Sequence, residues 1–248
     1  MVSDPSDLPF FPKFETEMKI EDKILIIWFE PHFSQSHYNI KNCTSGSNAC
    51  TLIAVLMASK CHHNKIQVNH PKKPLNYDLV HLFAISMLEG NKIHDHLKIN
   101  NMLKHINLTV PEAIEFADKF TEGMTEWKSL VYMEPLSTSL YENIRPVYGE
   151  WIKQQKTRRS NNLYIILIAD SRTVLFILQE DTDTVTIMDS HQHSASRGSF
   201  IGICRTNRLK SLCDWFSHTN IKSFKCDPKL YELSFLYFKR KQRKSKSY

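Results

Sequence analysis

The stretch GSNACTLIAVLMA, residues 46–58, places a cysteine where a polar turn becomes an apolar run. Gly46, Ser47 and Asn48 are turn and cap residues, whereas Leu52, Ile53, Val55, Leu56 and Met57 belong in a core. With Asn48 as the N-cap, Cys50 falls in the first turn of a helix that runs to about Lys60. This helix is apolar on nearly all sides, which predicts a central, buried element. At a helix N-terminus the dipole and the unbonded N–H groups lower a thiol's pKa. The backbone N–H of Cys50 would also face an oxyanion forming on an attacked carbonyl. A free cysteine is otherwise among the most buried residue types, so Cys50 alone does not distinguish a nucleophile from a core thiol. A nucleophile needs a base.

The run TIMDSHQH, residues 186–193, supplies one at the end of an apolar strand. Alternate residues of a strand share a face, so Asp189 and His191 are expected to point the same way. A carboxylate beside an imidazole fixes its tautomer and stabilises the imidazolium, which is what a thiol–imidazole site requires. His193 has the same parity and is the rival base, but no carboxylate stands two residues before it. A cysteine opening a buried helix, with Asp-x-His on a strand far downstream, is the sequence form of a papain-like thiol protease.

On these residues the chain resembles the herpesvirus tegument-type deubiquitinases and their cellular and viral relatives. The likeness is carried by SNACTLIA and by a hairpin followed by IMDSH, and in order and spacing it spans roughly residues 25–215. It implies a papain-like fold with Cys50 as nucleophile, His191 as general base and acid, and Asp189 as the orienting carboxylate. It also implies ubiquitin or a ubiquitin-like modifier as partner, cleaved after its C-terminal glycine. One departure stands out: papain-like enzymes usually carry a glutamine a few residues before the cysteine, which donates its amide to the oxyanion. Six residues upstream of Cys50 stands Thr44, and the nearest upstream glutamine is Gln35. Gln35, Thr44 and Asn48 are therefore the oxyanion candidates. The departure keeps two alternatives open, an inactive papain-fold module that binds ubiquitin or another partner, and the same triad acting on another substrate as a protease or acyltransferase.

The remaining pattern reads as α+β. KILIIWF (23–29) and WKSLVYM (127–133) have strand character, and NYDLVHLFAISMLEG (76–90) has helical spacing and ends at a glycine. TVPEAIEFADKF (109–120) opens on Thr109, Pro111 and Glu112, a capping box. STSLYENIRPVYGEWIKQQ (137–155) is helical, with Pro146 kinking or dividing it. From residue 163 the texture turns to β: LYIILIA (163–169), TVLFILQ (173–179) and TVTIMDS (184–190), the last two joined as a hairpin by EDTD. SFIGICR (199–205) adds a strand, RLKSLCDWFS (208–217) a helix, and YELSFLYF (231–238) a closing strand. The expected organisation is an N-terminal arm (1–20), a catalytic domain (21–238) in which a helical part packs on a C-terminal antiparallel sheet, and a basic disordered tail (239–248).

Composition bounds the function. At 248 residues, 42% hydrophobic and 23% charged, the chain has the make-up of a globular protein rather than a disordered one. No apolar run approaches the roughly 18 residues of a membrane span, and the proline-broken, acidic N-terminus does not read as a signal peptide. An intracellular protein, cytoplasmic or nuclear, is expected, in which the sequons at Asn42 and Asn107 carry no meaning and the six cysteines are free thiols. Net charge is +6, and KRKQRKSKSY at the C-terminus holds six basic residues and no acid, so residues 1–238 are neutral. The body thus offers no nucleic-acid surface, and the tail is a solvated terminus or a nuclear address. CHH (61–63) and HDH (94–96) lack zinc-ligand spacing, and no GxGxxG or GxxxxGK[ST] loop occurs, so neither a metal nor a nucleotide cofactor is expected. No sequence feature calls for an oligomer, and a monomer is expected.

Overall fold

The strands from residue 163 onward are nearly continuous apolar runs, which demands cover on both faces of their sheet. The computed structural model, which describes residues 8–21, 23–38, 47–154 and 161–239, supplies that cover. Among the described residues eight strands, β1 (Phe14–Lys19), β2 (Ile24–Phe29), β3 (Met124–Tyr132), β4 (Asn162–Ala169), β5 (Arg172–Gln179), β6 (Thr184–Asp189), β7 (Phe200–Arg205) and β8 (Tyr231–Phe238), form one sheet. Their order is β1-β2-β7-β6-β5-β4-β8-β3, and every pairing is antiparallel.

Alternation along each strand feeds two cores. On β4, Tyr164 and Ile166 join one core, while Leu163, Ile165 and Leu167 join the other. The first core lies beneath α1 (Cys50–His63), α2 (Tyr77–Ile99) and α3 (Val110–Ala117); the second lies beneath α4 (Leu136–Lys153) and α5 (Leu209–Phe224). The α+β expectation, with a cysteine-headed central helix packed on an antiparallel sheet, is met. The sheet is not confined to the C-terminal part, however, because β1, β2 and β3 precede β4 in the chain.

Helix α1 buries eleven of its fourteen residues, as an all-round apolar helix must. Thr51 Oγ1 lies 2.9 Å from Thr173 Oγ1 and fixes the start of α1 against β5. Helix α2 continues nine residues beyond Gly90, where the sequence suggested its end. A Cβ on Gly90 would sit 2.6 Å from Ile53 Cγ1, so this glycine permits α2 to cross α1 closely and is not a stop. The capping box on α3 forms as expected, with Thr109 and Glu112 bonded reciprocally. Pro146 lies inside α4, which runs on as one helix. Part of the expected arm, residues 14–19, is β1, an edge strand of the sheet. Residues 1–7 of that arm and 240–248 of the basic tail lie outside the described residues.

Gly198 fixes the loop that leaves β2. Its N–H donates to Phe29 O at 2.9 Å, and Ser199 N–H donates to Phe33 O at the same distance. A Cβ at position 198 would lie 2.2 Å from Glu30 O and 2.7 Å from Phe33 O, backbone atoms that cannot turn aside as a side chain can. Gly198→Ala is expected to cost about 3 kcal/mol in urea denaturation, an overpacking penalty at the high end of the usual range. A loss below about 0.5 kcal/mol would show that the loop yields freely, as ordinary surface sites do.

Candidate active site

Cys50 is the first residue of α1. The cap position belongs to Ala49 and carries no side-chain capping bond, so Asn48 is not the N-cap that the sequence suggested. Ser47 organises this approach instead: its Oγ accepts from Ala49 N–H at 3.1 Å and donates to Asn91 Oδ1 at 2.6 Å. Opposite α1, β4 turns into β5 through Asp170 and Ser171, both with positive φ (50° and 59°), in a two-residue loop between the paired residues Ala169 and Arg172. Such a loop matches the twist of its strands. It places the Ser171 carbonyl oxygen 4.0 Å from Cys50 Sγ.

An imidazole arrives from the end of β6. Asp189 ends that strand, paired with Phe200 of β7, and the chain then bends. One carboxylate oxygen, Asp189 Oδ1, accepts both the backbone N–H of His191 at 2.9 Å and its ring Nδ1–H at 2.7 Å. It is this turn rather than strand alternation that aims the imidazole. Since Nδ1 is engaged by Asp189, the Nε2 side of the ring is left for the Cys50 sulfur, with which His191 shares a hydrogen bond. Cys50, His191 and Asp189 thus meet, although 121 residues separate Cys50 even from its neighbour Ser171.

Burial pushes the Cys50 thiol up, but the hydrogen bond and charge of His191, helped by Thr173, outweigh it, and the net direction is down. Cys61, at the other end of the same helix, is driven to about 12 by burial alone, and buried Cys204 reaches about 12 as well. The difference between two thiols of one buried helix is therefore the imidazole. His191 in turn is raised to about 10: burial lowers it, but the charge and hydrogen bond of Asp189 and the bond to Cys50 raise it further. Burial also pushes Asp189 up, yet the charges and hydrogen bonds of His191 and His193 hold it well below the usual carboxylate range. The arrangement favours the thiolate–imidazolium pair over the neutral thiol and imidazole.

The three oxyanion candidates separate. Thr44 lies outside the described residues. Asn48 is partly exposed and takes no part in capping. Gln35 is buried and held on every side: its N–H donates to Ser190 O at 2.8 Å, its Oε1 accepts from Ser190 Oγ at 2.7 Å, its Nε2 donates to Ser47 O at 2.8 Å, and its carbonyl accepts from Asn91 Nδ2 at 2.8 Å. It is thereby tied both to the segment entering α1 and to Ser190, which lines one small cavity together with Cys50. No pattern near Cys50 in the sequence reports this contact, because Gln35 and Ser190 stand 155 residues apart in the chain.

His193, weighed in the sequence as a rival base, is bonded to the same carboxylate. Its Nε2 lies 3.1 Å from Asp189 Oδ2, its Nδ1 lies 3.1 Å from Ser223 Oγ, and its side chain is buried. It faces Asp189 and Ser223, and the imidazole beside Cys50 is that of His191. The site as a whole is enclosed: Cys50 is 4% exposed and the His191 side chain 13%.

No family model matches the sequence, and no curated protein matches it. Among solved structures, the chain is similar to the ubiquitin-specific protease encoded by murine cytomegalovirus tegument protein M48, in complex with a ubiquitin-based suicide substrate. The identity is 13%, the TM-score 0.48, and the match covers 87% of this chain and 88% of that one. It is also similar to the Pseudomonas avirulence protein AvrPphB, at 9% identity and a TM-score of 0.44, covering 77% and 92% of the two chains. Both likenesses are weak, and neither assigns an activity to this chain.

Proposed function

We propose that the protein is a cysteine isopeptidase that cleaves after the C-terminal glycine of ubiquitin or a ubiquitin-like modifier. The observation that carries the reading is the meeting of Cys50, at the first position of α1, with the Asp189-oriented His191. The Cys50 thiolate attacks the glycine carbonyl carbon, and the carbonyl electron pair moves onto oxygen. The Cys50 N–H, among the first helical N–H groups that lack an intrahelical acceptor, stabilises that oxyanion together with the Gln35 amide. A primary amide has two N–H donors, and the bond to Ser47 uses one. On collapse, the carbon–nitrogen bond breaks and the His191 imidazolium gives its proton to the departing amine. Water then attacks the thioester as neutral His191 takes its proton, which releases the free glycine carboxylate and regenerates the thiolate–imidazolium pair.

The motif resemblance supports ubiquitin as substrate, and so does the enclosure of Cys50. A thiol only 4% exposed favours a chain end without side chains, such as Gly-Gly. A ubiquitin C-terminal electrophile is expected to form a one-to-one adduct with the wild-type protein and none with Cys50→Ala. The adduct mass would be mapped to the peptide that contains residue 50. An adduct with a small peptide electrophile but none with ubiquitin would keep the thiol peptidase and overturn the modifier. Absence of both would overturn the enzyme.

A further inference from the structure

Asp189 is shared by two imidazoles, and the proposed chemistry uses only one of them. We infer that His193, locked in place by Ser223, is a positioning residue that aims the Asp189 carboxylate at His191. This rests on the Cys50–His191 reading above.

A carboxylate's terminal torsion is soft and nearly two-fold, so one hydrogen-bonded partner leaves it free to rock. Asp189 is 1% exposed, and water cannot hold its second oxygen. His193 does so through Asp189 Oδ2, while His191 occupies Oδ1 with two bonds. With a partner on each oxygen, the carboxylate plane is set.

The proton positions follow from the chemistry of the groups. An ionised carboxylate only accepts, so His193 Nε2 carries the hydrogen that faces Asp189. Its Nδ1 in turn pairs with the Ser223 hydroxyl, which can donate or accept. The His193 ring is also gripped by three aromatic neighbours, with centroids at 5.3 Å for Trp28, 5.1 Å for Phe200 and 5.1 Å for Phe224. Phe224 lies 6.5 Å from the His191 ring and carries the Arg172 guanidinium at 3.8 Å on its face. The last turn of α5 therefore touches both histidines, although α5 packs on the sheet face opposite α1. A run of hydrogen bonds, Ser223 to His193 to Asp189 to His191 to Cys50, links the two sides of the sheet at one end.

Two variants separate aiming from packing. His193→Phe keeps an aromatic ring and removes both hydrogen bonds, whereas His193→Gln loses the ring but returns an N–H donor at similar reach. The readout is the rate at which iodoacetamide alkylates Cys50 at neutral pH, followed by mass spectrometry on the residue-50 peptide and measured alongside the melting temperature. No modifier substrate is needed. Loss of a group that orients a reacting residue through hydrogen bonds typically costs about 10–100-fold, so His193→Phe is expected to slow alkylation at least ~10-fold. His193→Gln should lie within about 3-fold of wild type, and turnover should follow with kcat reduced and KM unchanged. Wild-type alkylation in His193→Phe would overturn the inference, as would equal slowing in both variants at unaltered melting temperatures. Should His193→Phe not fold, His193→Gln decides: a near-wild-type rate supports aiming and a loss of at least ~10-fold overturns it. Failure of the isopeptidase reading shows separately, as a wild-type protein that takes no ubiquitin electrophile.

Discussion

Asp189→Asn is expected to lower kcat by roughly three to four orders of magnitude while the protein still folds. The substitution keeps shape and volume, so the buried cavity stays filled. It changes the hydrogen-bonding inventory, because the carboxylate offers acceptors on both oxygens and uses them for His191 N–H, His191 Nδ1–H and His193 Nε2–H. An amide has one oxygen and one NH2. If the oxygen faces His191, the NH2 meets His193; if the oxygen faces His193, the NH2 meets His191 Nδ1 and favours the wrong tautomer. In either orientation the negative charge that raises His191 to about 10 is gone. With His191 neutral, the Cys50 thiol loses the cation that drives it down, and burial pushes it up as it does Cys61. Steady-state kinetics with a fluorogenic modifier substrate, beside a melting curve, check this. A loss below ~10-fold in a folded variant would mean that another group orients His191.

Gln35→Ala is expected to reduce kcat by about 10²–10³-fold, the usual effect of removing one oxyanion donor. It also strands the Ser190 hydroxyl and the Ser47 carbonyl, for about 1–3 kcal/mol of stability. Gln35→Glu isolates the donor: an acid at this position keeps an acceptor for Ser190 and loses the amide N–H groups. Turnover in Gln35→Glu should fall as in Gln35→Ala, whereas Cys50 alkylation, which forms no oxyanion, should remain near wild type in both. Full turnover in Gln35→Ala would remove Gln35 from the oxyanion site and leave the Cys50 N–H as its main donor.

Much of the fold was legible because its strands from residue 163 onward and its central helix are nearly continuous apolar runs, and such runs have few other solutions in water. What escaped was set by packing. Gly90 reads as a helix end in one dimension and as a close helix crossing in three, since only the position of Ile53 reveals its purpose. FETEMK, residues 14–19, has too many charges to announce a strand, yet an edge strand tolerates them because one side of its backbone is unpaired and its side chains meet solvent. Within the site, the proximity of Cys50, His191 and Asp189 was foreshadowed by a helix start and a two-residue spacing, which are local signals, and their proposed roles rest on it. Gln35 and His193 were not resolved, because their roles depend on which side chains the folded chain brings to Ser190 and to the second oxygen of Asp189. Asn48 shows the limit of local capping rules: a good cap residue precedes α1, and the helix begins one residue later.

The central claim is that Cys50 is held as a thiolate by an imidazolium, and its titration tests this most directly. The sign follows from the two shifts. The Cys50 thiol is lowered from its ordinary value of 9.0, so the thiolate forms at lower pH than in a free thiol and is lost as pH falls through that lowered value. His191 is raised from 6.5 to about 10, so the imidazolium persists across the same range and is lost as pH rises through about 10, where turnover should fall. The measurement is the alkylation rate of Cys50, resolved by mass spectrometry and followed from acidic to alkaline pH in wild type and in His191→Gln. The account predicts a wild-type rate that rises and levels off below the ordinary thiol value, and a variant rate that rises only above it. A wild-type profile that coincides with that of His191→Gln would contradict it and leave Cys50 a core thiol at the head of a buried helix.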